Sequence, residues 1–181
     1  MRYNGLKEVV SNAKFDNPNT PGADVEATEL IAMYRAIGWV EGWSHCAAFV
    51  EVVIRKALAL EGATKEQIAK FGNPMQLGVM NSVRAFKQLG ILDPVSKAGT
   101  GSIWLARHGV TDKGHTGICL SHVQAGLLNT IEANTSKDAV LGDKDREGDW
   151  ITTKVFPMNQ RGPLRTQGVV TVESICKLIN S

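Results

Sequence analysis

The sequence predicts an α+β fold in which N-terminal helices pack on an antiparallel β-sheet. A chain of 181 residues can bury one full core and leaves little room for two. Apolar residues recur with the helical period in the first half, but beyond about residue 100 they alternate with a period of two, which is typical of strands. Runs of helices followed by runs of strands favour an antiparallel sheet. We therefore predict a single domain over residues 1–181.

Three segments in the first half are predicted to be helical. "GLKEVVSNA" (5–13) predicts one or two amphipathic turns, and a periodic helix is expected from about Val25 to Ile37, after a loop rich in Pro, Gly and Asn. Residues 44–60 carry apolar side chains on most faces. That pattern is typical of a helix that is buried nearly all round.

Capping signals predict two further helices. Thr64 and Gln67 have the spacing of a capping box, in which each side chain satisfies a backbone N–H at the helix start. Asn73 followed by Pro74 fits a cap with proline in the first turn. This second signal predicts a helix that ends near Gly90.

The second half is predicted to form the sheet. Four segments alternate apolar and polar residues between turn signals: 102–108, 115–123, 127–133 and 150–156. The second and third are expected to form a hairpin across residues 124–126. The last stretch, 171–180, is predicted to be a short helix that packs on this sheet.

Composition and charge exclude several classes of protein. The 20 basic and 18 acidic residues give a net charge of +2 and are scattered, without the basic stripe of a nucleic-acid binder. No apolar run is long enough for a secretory signal or a membrane span. Three cysteines are an odd number without paired spacing, which favours a reducing compartment. We expect synthesis in the cytoplasm and no membrane insertion.

Cys46 is the candidate nucleophile. It follows a Gly-Trp-Ser-His turn at the start of a predicted helix, where unpaired N–H groups stabilise a thiolate and can hold an oxyanion. The alternative is that a free cysteine simply packs in the core. Cys119 and Cys176 lie on apolar segments, so we expect them to be buried and inert.

His115 is the candidate general base, because a thiol nucleophile needs a group that takes up its proton and returns it to the leaving amine. If the predicted hairpin forms, His115 lies opposite residues 133 to 135, and either Glu132 or Asn134 can orient its imidazole. A bulge would shift the register, so both remain open. Gly117 leaves space for a substrate or for a crossing strand, unless it marks a bulge. His45 is expected to be a wall or surface residue.

No metal site is predicted. His115 and Cys119 lie roughly 13 Å apart along a strand, too far for one zinc ion. The acidic stretch 142–149 superficially resembles a calcium loop, but the position of the bidentate glutamate is occupied by Lys154.

Four motifs together resemble those of the CHAP (cysteine, histidine-dependent amidohydrolase/peptidase) family, within the NlpC/P60 group of papain-like wall hydrolases. They are "GWSHCAAFVEVVIRKAL", "GHTGICL", "TIEANT" and "DREGDW", which cover about residues 38–149. The resemblance implies a papain-like fold. It also implies that Cys46 is the nucleophile, His115 the base and acid, Glu132 the favoured orienting group and Asn134 an auxiliary polar member. Trp43, Ser44 and Gly117 would contact substrate.

The family cleaves amide bonds of peptidoglycan and consumes no cofactor. By resemblance, the chain would act at the bacterial wall as a phage lysin released through a holin-dependent lesion, or as part of a virion together with other virion proteins. Two alternatives are a secreted antibacterial effector amidase and a noncatalytic wall-binding or structural virion module. A cysteine peptidase that acts on proteins is a further alternative with the same chemistry.

Overall fold

A computed structural model describes residues 4, 6–10, 14–16, 25–135 and 150–181. Their helices are α1 (Val25–Ala36), α2 (Cys46–Leu60), α3 (Lys65–Gly72), α4 (Val79–Gln88) and α5 (Val172–Ile179). Their strands are β1 (Lys7–Val10), β2 (Lys14–Asp16), β3 (Ile103–His108), β4 (Gly114–Cys119), β5 (Leu127–Thr135), β6 (Trp150–Pro157), β7 (Gln160–Arg161) and β8 (Leu164–Val170). The predicted α+β class with an antiparallel sheet is confirmed.

The helices largely follow the sequence signals. α1 and α2 lie where the periodicity predicts them, and the capping box between Thr64 and Gln67 is present at the start of α3. Thr171 caps α5 in a similar way, because its hydroxyl accepts a hydrogen bond from the N–H of Ser174. α5 packs against α3, with Asn180 accepting a hydrogen bond from the Gln67 side chain.

Two helical predictions are wrong. The helix expected from Asn73 begins only at Val79, and Asn73 is instead the C-cap of α3. The intervening residues are held as a loop by Ser82, whose hydroxyl accepts from the N–H of Gln76 and donates to its carbonyl. Within the segment 5–13, residues 7–10 form β1 rather than the expected helical turns, and β1 pairs with β2 and with β6.

The sheet contains more strands than the sequence predicts. The four expected strands are present as β3 to β6, while β1, β2, β7 and β8 were not predicted. The strand order is β2-β1-β6-β5-β4-β3-β8-β7. The β4–β5 hairpin turns at Ala125 and Gly126, both with positive φ, which is the backbone that a two-residue type I′ turn requires.

The sheet curls on itself. Trp104 of β3 and Phe156 of β6 have ring centroids 4.9 Å apart, although β4 and β5 lie between these strands in the sheet. These rings belong to a second apolar cluster, separate from the main core that α2 forms with the other helices and the sheet. The curl therefore has an interior of its own, and polar groups on β4, β5 and β7 face one another there. No helix within the described ranges is long and apolar enough to span a membrane.

Candidate active site

Cys46 is the first residue of α2 and is only 5% exposed. The helix begins with a hydrogen bond from the N–H of Phe49 to the carbonyl of His45, at 2.8 Å. Unlike α3 and α5, α2 has no side-chain cap among the described residues. Because the first N–H groups of a helix have no intrahelical partner, this end of α2 offers donors beside the thiol.

His115 of β4 is fully buried and is held by Glu132 of β5. Its Nε2 lies 2.8 Å from Oε2 of Glu132. In the neutral imidazole this contact places the ring proton on Nε2 and leaves Nδ1 as an acceptor. Within the described part of the chain, Nδ1 has no hydrogen-bond partner of good geometry. The Cys46 side chain nevertheless lies close enough to interact with this imidazole. The structure thus brings together the predicted nucleophile, base and orienting carboxylate.

The electrostatics of the pair favour an imidazolium beside a carboxylate. Burial works to lower the pKa of His115, but the interactions with Cys46 and Glu132 outweigh it and raise the pKa to about 9. Burial also works to raise the pKa of Glu132, but Arg161, His115 and Thr130 together lower it to about 2. Glu132 is therefore ionised near neutral pH.

The structure places the two candidate orienting residues differently. Ile118 pairs with Ile131 and Gly117 with Glu132, so β4 and β5 are in regular register up to Glu132. Beyond it the pairing with β6 shifts between Glu132 and Thr135, and Asn134 has a φ of 58°. An irregularity of the β5–β6 register thus lies after Glu132. Glu132 contacts His115, whereas Asn134 is a buried bulge residue.

Arg161 of β7 is a site residue that the sequence does not reveal. Its Nη1 donates to Oε2 of Glu132 at 2.6 Å, and its Nη2 donates to Thr135 at 3.1 Å. The other carboxylate oxygen accepts from the Thr130 hydroxyl at 2.5 Å. Arg161 lies in a strand that sequence periodicity missed, and only the curl of the sheet brings it to Glu132.

Gly117 lies against Glu132 rather than beside an open space. A Cβ at Gly117 would be 2.5 Å from Cγ of Glu132 and 2.9 Å from the carbonyl oxygen of Ile131. The missing side chain therefore makes room for the neighbouring strand β5, as in the alternative that Gly117 leaves space for a crossing strand rather than for a substrate. The regular register at Gly117 shows that the bulge alternative is wrong.

We expect Gly117→Ala to destabilise the fold by about 1–3 kcal/mol, because the carbonyl of Ile131 belongs to the backbone and cannot move aside. Urea unfolding measures this change. Gly78→Ala is the matched control, since its nearest neighbour is the exposed Asn81 side chain at 3.2 Å, and its cost should stay under about 1 kcal/mol. Equal midpoints for the two variants would contradict the assigned role.

The residues before the nucleophile divide into exposed and buried ones. Trp43 is 53% exposed, and its carbonyl accepts a hydrogen bond from Nε1 of Trp39 at 3.0 Å. Ser44 is half-buried. His45, which was expected at a wall or at the surface, is fully buried and its Nδ1 lies 3.5 Å from the Tyr34 hydroxyl, so the surface alternative is wrong.

The other two cysteines differ from each other. Cys119 is fully buried, which confirms its predicted burial, and burial together with the charge of Glu132 raises the pKa of its thiol to about 12. Cys176 is exposed on α5, so its predicted burial is wrong. The apolar face of α5 is formed instead by Ile175 and Ile179.

The two buried histidines predict a maximum of stability near pH 6.5. Burial, and then the nearby His115, lower the pKa of His45 from 6.5 to about 3, so acidification below 6.5 destabilises the fold. The pKa of His115 rises from 6.5 to about 9, so its contribution is present below 6.5 and is lost as the pH rises through 9. Each slope is at most about 1.4 kcal/mol per pH unit, measurable by urea unfolding.

Substitutions can separate the contribution of His45 to the acid side of this stability profile from that of His115 to the alkaline side. His45→Gln should flatten the acid side, and the exposed His122 changed to Gln should leave both sides intact. A free energy of unfolding in the wild type that does not change between pH 6.5 and pH 9 would contradict the placement of His115 as a charged buried group.

No candidate metal site is found in the part of the chain that the structure describes, because it holds no group of three or more His, Cys, Asp or Glu side chains that could bind a metal ion. The acidic stretch 142–149, including most of the "DREGDW" motif, lies outside the described residues.

No protein-family model matches this chain, and neither the curated proteins nor the solved structures contain a significant match.

Proposed function

We propose that this protein is a cysteine amidohydrolase with a papain-like CHAP fold that cleaves amide bonds of bacterial peptidoglycan. One observation carries the proposal. Cys46 begins a helix beside His115, whose far nitrogen is held 2.8 Å from Glu132. Nucleophile, base and orienting group stand in the order that acyl transfer by a thiol requires.

The first half of the reaction forms the acyl-enzyme. Transfer of the thiol proton of Cys46 to Nδ1 of His115 gives a thiolate beside an imidazolium, which is the state that the raised pKa of His115 favours. The thiolate then attacks the carbonyl carbon, forming a C–S bond. The negative charge that develops on the carbonyl oxygen is stabilised by the uncapped N–H groups at the start of α2. The imidazolium then gives its proton to the leaving nitrogen, the C–N bond breaks, and the amine departs.

The second half restores the enzyme. His115, now neutral, accepts a proton from a water molecule as the water oxygen attacks the thioester carbon. Collapse of the tetrahedral intermediate breaks the C–S bond, releases a carboxylic acid and returns the proton to sulfur. The carboxylate of Glu132 remains ionised throughout and stabilises the imidazolium. The cycle consumes one water molecule and no cofactor.

The choice of substrate rests on the motif resemblance to the CHAP family and on the residues that precede the nucleophile. Trp43, with 53% of its surface exposed, and the half-buried Ser44 lie directly before the nucleophile and would contact the wall polymer there. The protein would act at the bacterial wall after release or delivery, as a phage lysin, as a virion component or as a secreted effector. We propose peptidoglycan as its partner, and neither nucleic acid nor a membrane.

A second candidate function is favoured by the burial of the site. Cys46 is 5% exposed and His115 is 0% exposed, so the thiol is covered in this conformation. A noncatalytic wall-binding or virion module that keeps the fold would show the same burial. Only an assay of bond cleavage distinguishes this module from the enzyme.

The deciding experiment incubates the protein separately with purified cell walls and with unfolded casein. We expect turbidity loss and newly freed amino groups in the wall sample alone, and mass spectrometry of the soluble fragments then identifies the bond. Cleavage of casein alone would indicate a peptidase that acts on proteins. Binding to walls without any released amino group would favour the noncatalytic module.

A further inference from the structure

We propose that Arg161 is a positioning residue for the catalytic pair, fixing the Glu132 carboxylate and setting through its charge how strongly His115 holds its proton. This inference deepens the proposed function and rests on it for its catalytic meaning. The predicted effect of Arg161 on the titration midpoint of His115 involves only the buried side chains, so it can be measured without a substrate.

The geometry of one oxygen atom supports the proposal. Oε2 of Glu132 faces both Nε2 of His115 at 2.8 Å and Nη1 of Arg161 at 2.6 Å. An oxygen that accepts two charge-assisted hydrogen bonds is fixed in position. The carboxylate therefore accepts hydrogen bonds from both His115 and Arg161 at the same oxygen atom, so a change in one of these contacts should affect the other.

Arg161 is itself held in place. Its Nη2 donates to Thr135 at 3.1 Å, and its Cζ lies 4.9 Å from the centroid of the Phe156 ring. The residue is 5% exposed, so water screens its charge only weakly. A planar guanidinium can bridge two acceptors and stack on a ring at once, which an ammonium group cannot do.

The sign of the effect on His115 follows from the charges around the pair. Four titratable or charged groups face it: Cys46 from α2, His45 from the N-cap position before α2, Cys119 from β4, and Arg161 from β7. Arg161 supplies the fixed positive charge in this set. It stabilises the state in which Glu132 is ionised and His115 is neutral, which is the state that acts as a base.

Removing this charge should therefore make the pair hold its shared proton to higher pH. NMR titration of histidine ring signals in ¹⁵N-labelled protein measures this midpoint directly, and loss of a signal in His115→Gln assigns it. We expect Arg161→Met to raise the His115 midpoint by about one pH unit or more. Arg161→Lys, which keeps the charge, should remain within about half a unit of the wild type.

A purely structural role for Arg161 would change stability and leave the midpoint where it is. An unchanged midpoint in folded Arg161→Met therefore overturns the proposal. If that variant does not fold, Arg161→Gln replaces it. That change also removes the charge but keeps a polar group that can donate to Glu132, and it should give an upward shift of similar size; an unchanged midpoint there also overturns the proposal.

The titration tests the role of Arg161 and the wall assay tests the proposed function, so one proposal can be contradicted while the other stands. A raised midpoint in a protein that does not release amino groups from walls would remove the proposed function and leave the role of Arg161 toward Glu132 intact. In an active protein, the pH optimum of wall hydrolysis should move upward in Arg161→Met in parallel with the midpoint. An optimum that stays in place while the midpoint moves would show that His115 is not the base.

Discussion

Replacing Cys46 by alanine should abolish the release of amino groups from purified walls, with a loss of about 10⁴-fold or more. The reason is chemical, because among the described residues the thiol that interacts with His115 is that of Cys46, and the thioester forms on that sulfur. The fold should survive, since the change removes a single sulfur atom from a site at the end of a helix. Amino-group release measures the first effect, and urea unfolding should give a midpoint near that of the wild type.

Cys176→Ala is the matched control for this experiment. It also removes one thiol, but from an exposed position on α5, and should leave wall hydrolysis unchanged. Full activity in Cys46→Ala would remove the proposed mechanism. Activity lost in both variants would point to a general effect of thiol removal rather than to a nucleophile at the start of α2.

The parts of the fold that depend on residues close together along the chain could be predicted from the sequence. Apolar periodicity located α1, α2 and the strands β3 to β6, and the Thr64 capping box located α3, because each signal is complete within one segment. β1 was assigned to a helix because its four residues are too few to show a period. What makes it a strand is pairing with β2 and β6, which no local pattern contains.

The candidate site divides in the same way. Cys46 and His115 could be identified from their positions at the starts of a predicted helix and a predicted strand. The choice between Glu132 and Asn134 depended on where the β-bulge lies, and a bulge leaves no reliable mark in a single sequence. Arg161 could not be found at all. It reaches Glu132 because the sheet curls, and sheet curl is a property of all its strands together.

Replacing Glu132 by glutamine should lower the rate of wall hydrolysis by about 10³- to 10⁴-fold, because a neutral amide does not stabilise the imidazolium and its NH₂ group can donate to the ring and hold the wrong tautomer of His115. The His115 midpoint in an NMR titration should fall, since the negative charge that raises its pKa is gone. Arg161 would lose its ionic partner, which should cost about 3–5 kcal/mol of stability by urea unfolding.

Stability and catalysis can be separated with a second pair of variants. Glu132→Gln combined with Arg161→Met removes both buried charges and should recover part of the lost stability, while the hydrolysis rate stays low. Asn134→Gly keeps the positive φ of 58° without strain and removes the amide that sequence alone could not rule out. It should retain most of the activity. If Asn134→Gly loses as much activity as Glu132→Gln, then the contact at 2.8 Å between His115 and Glu132 is not what orients the base.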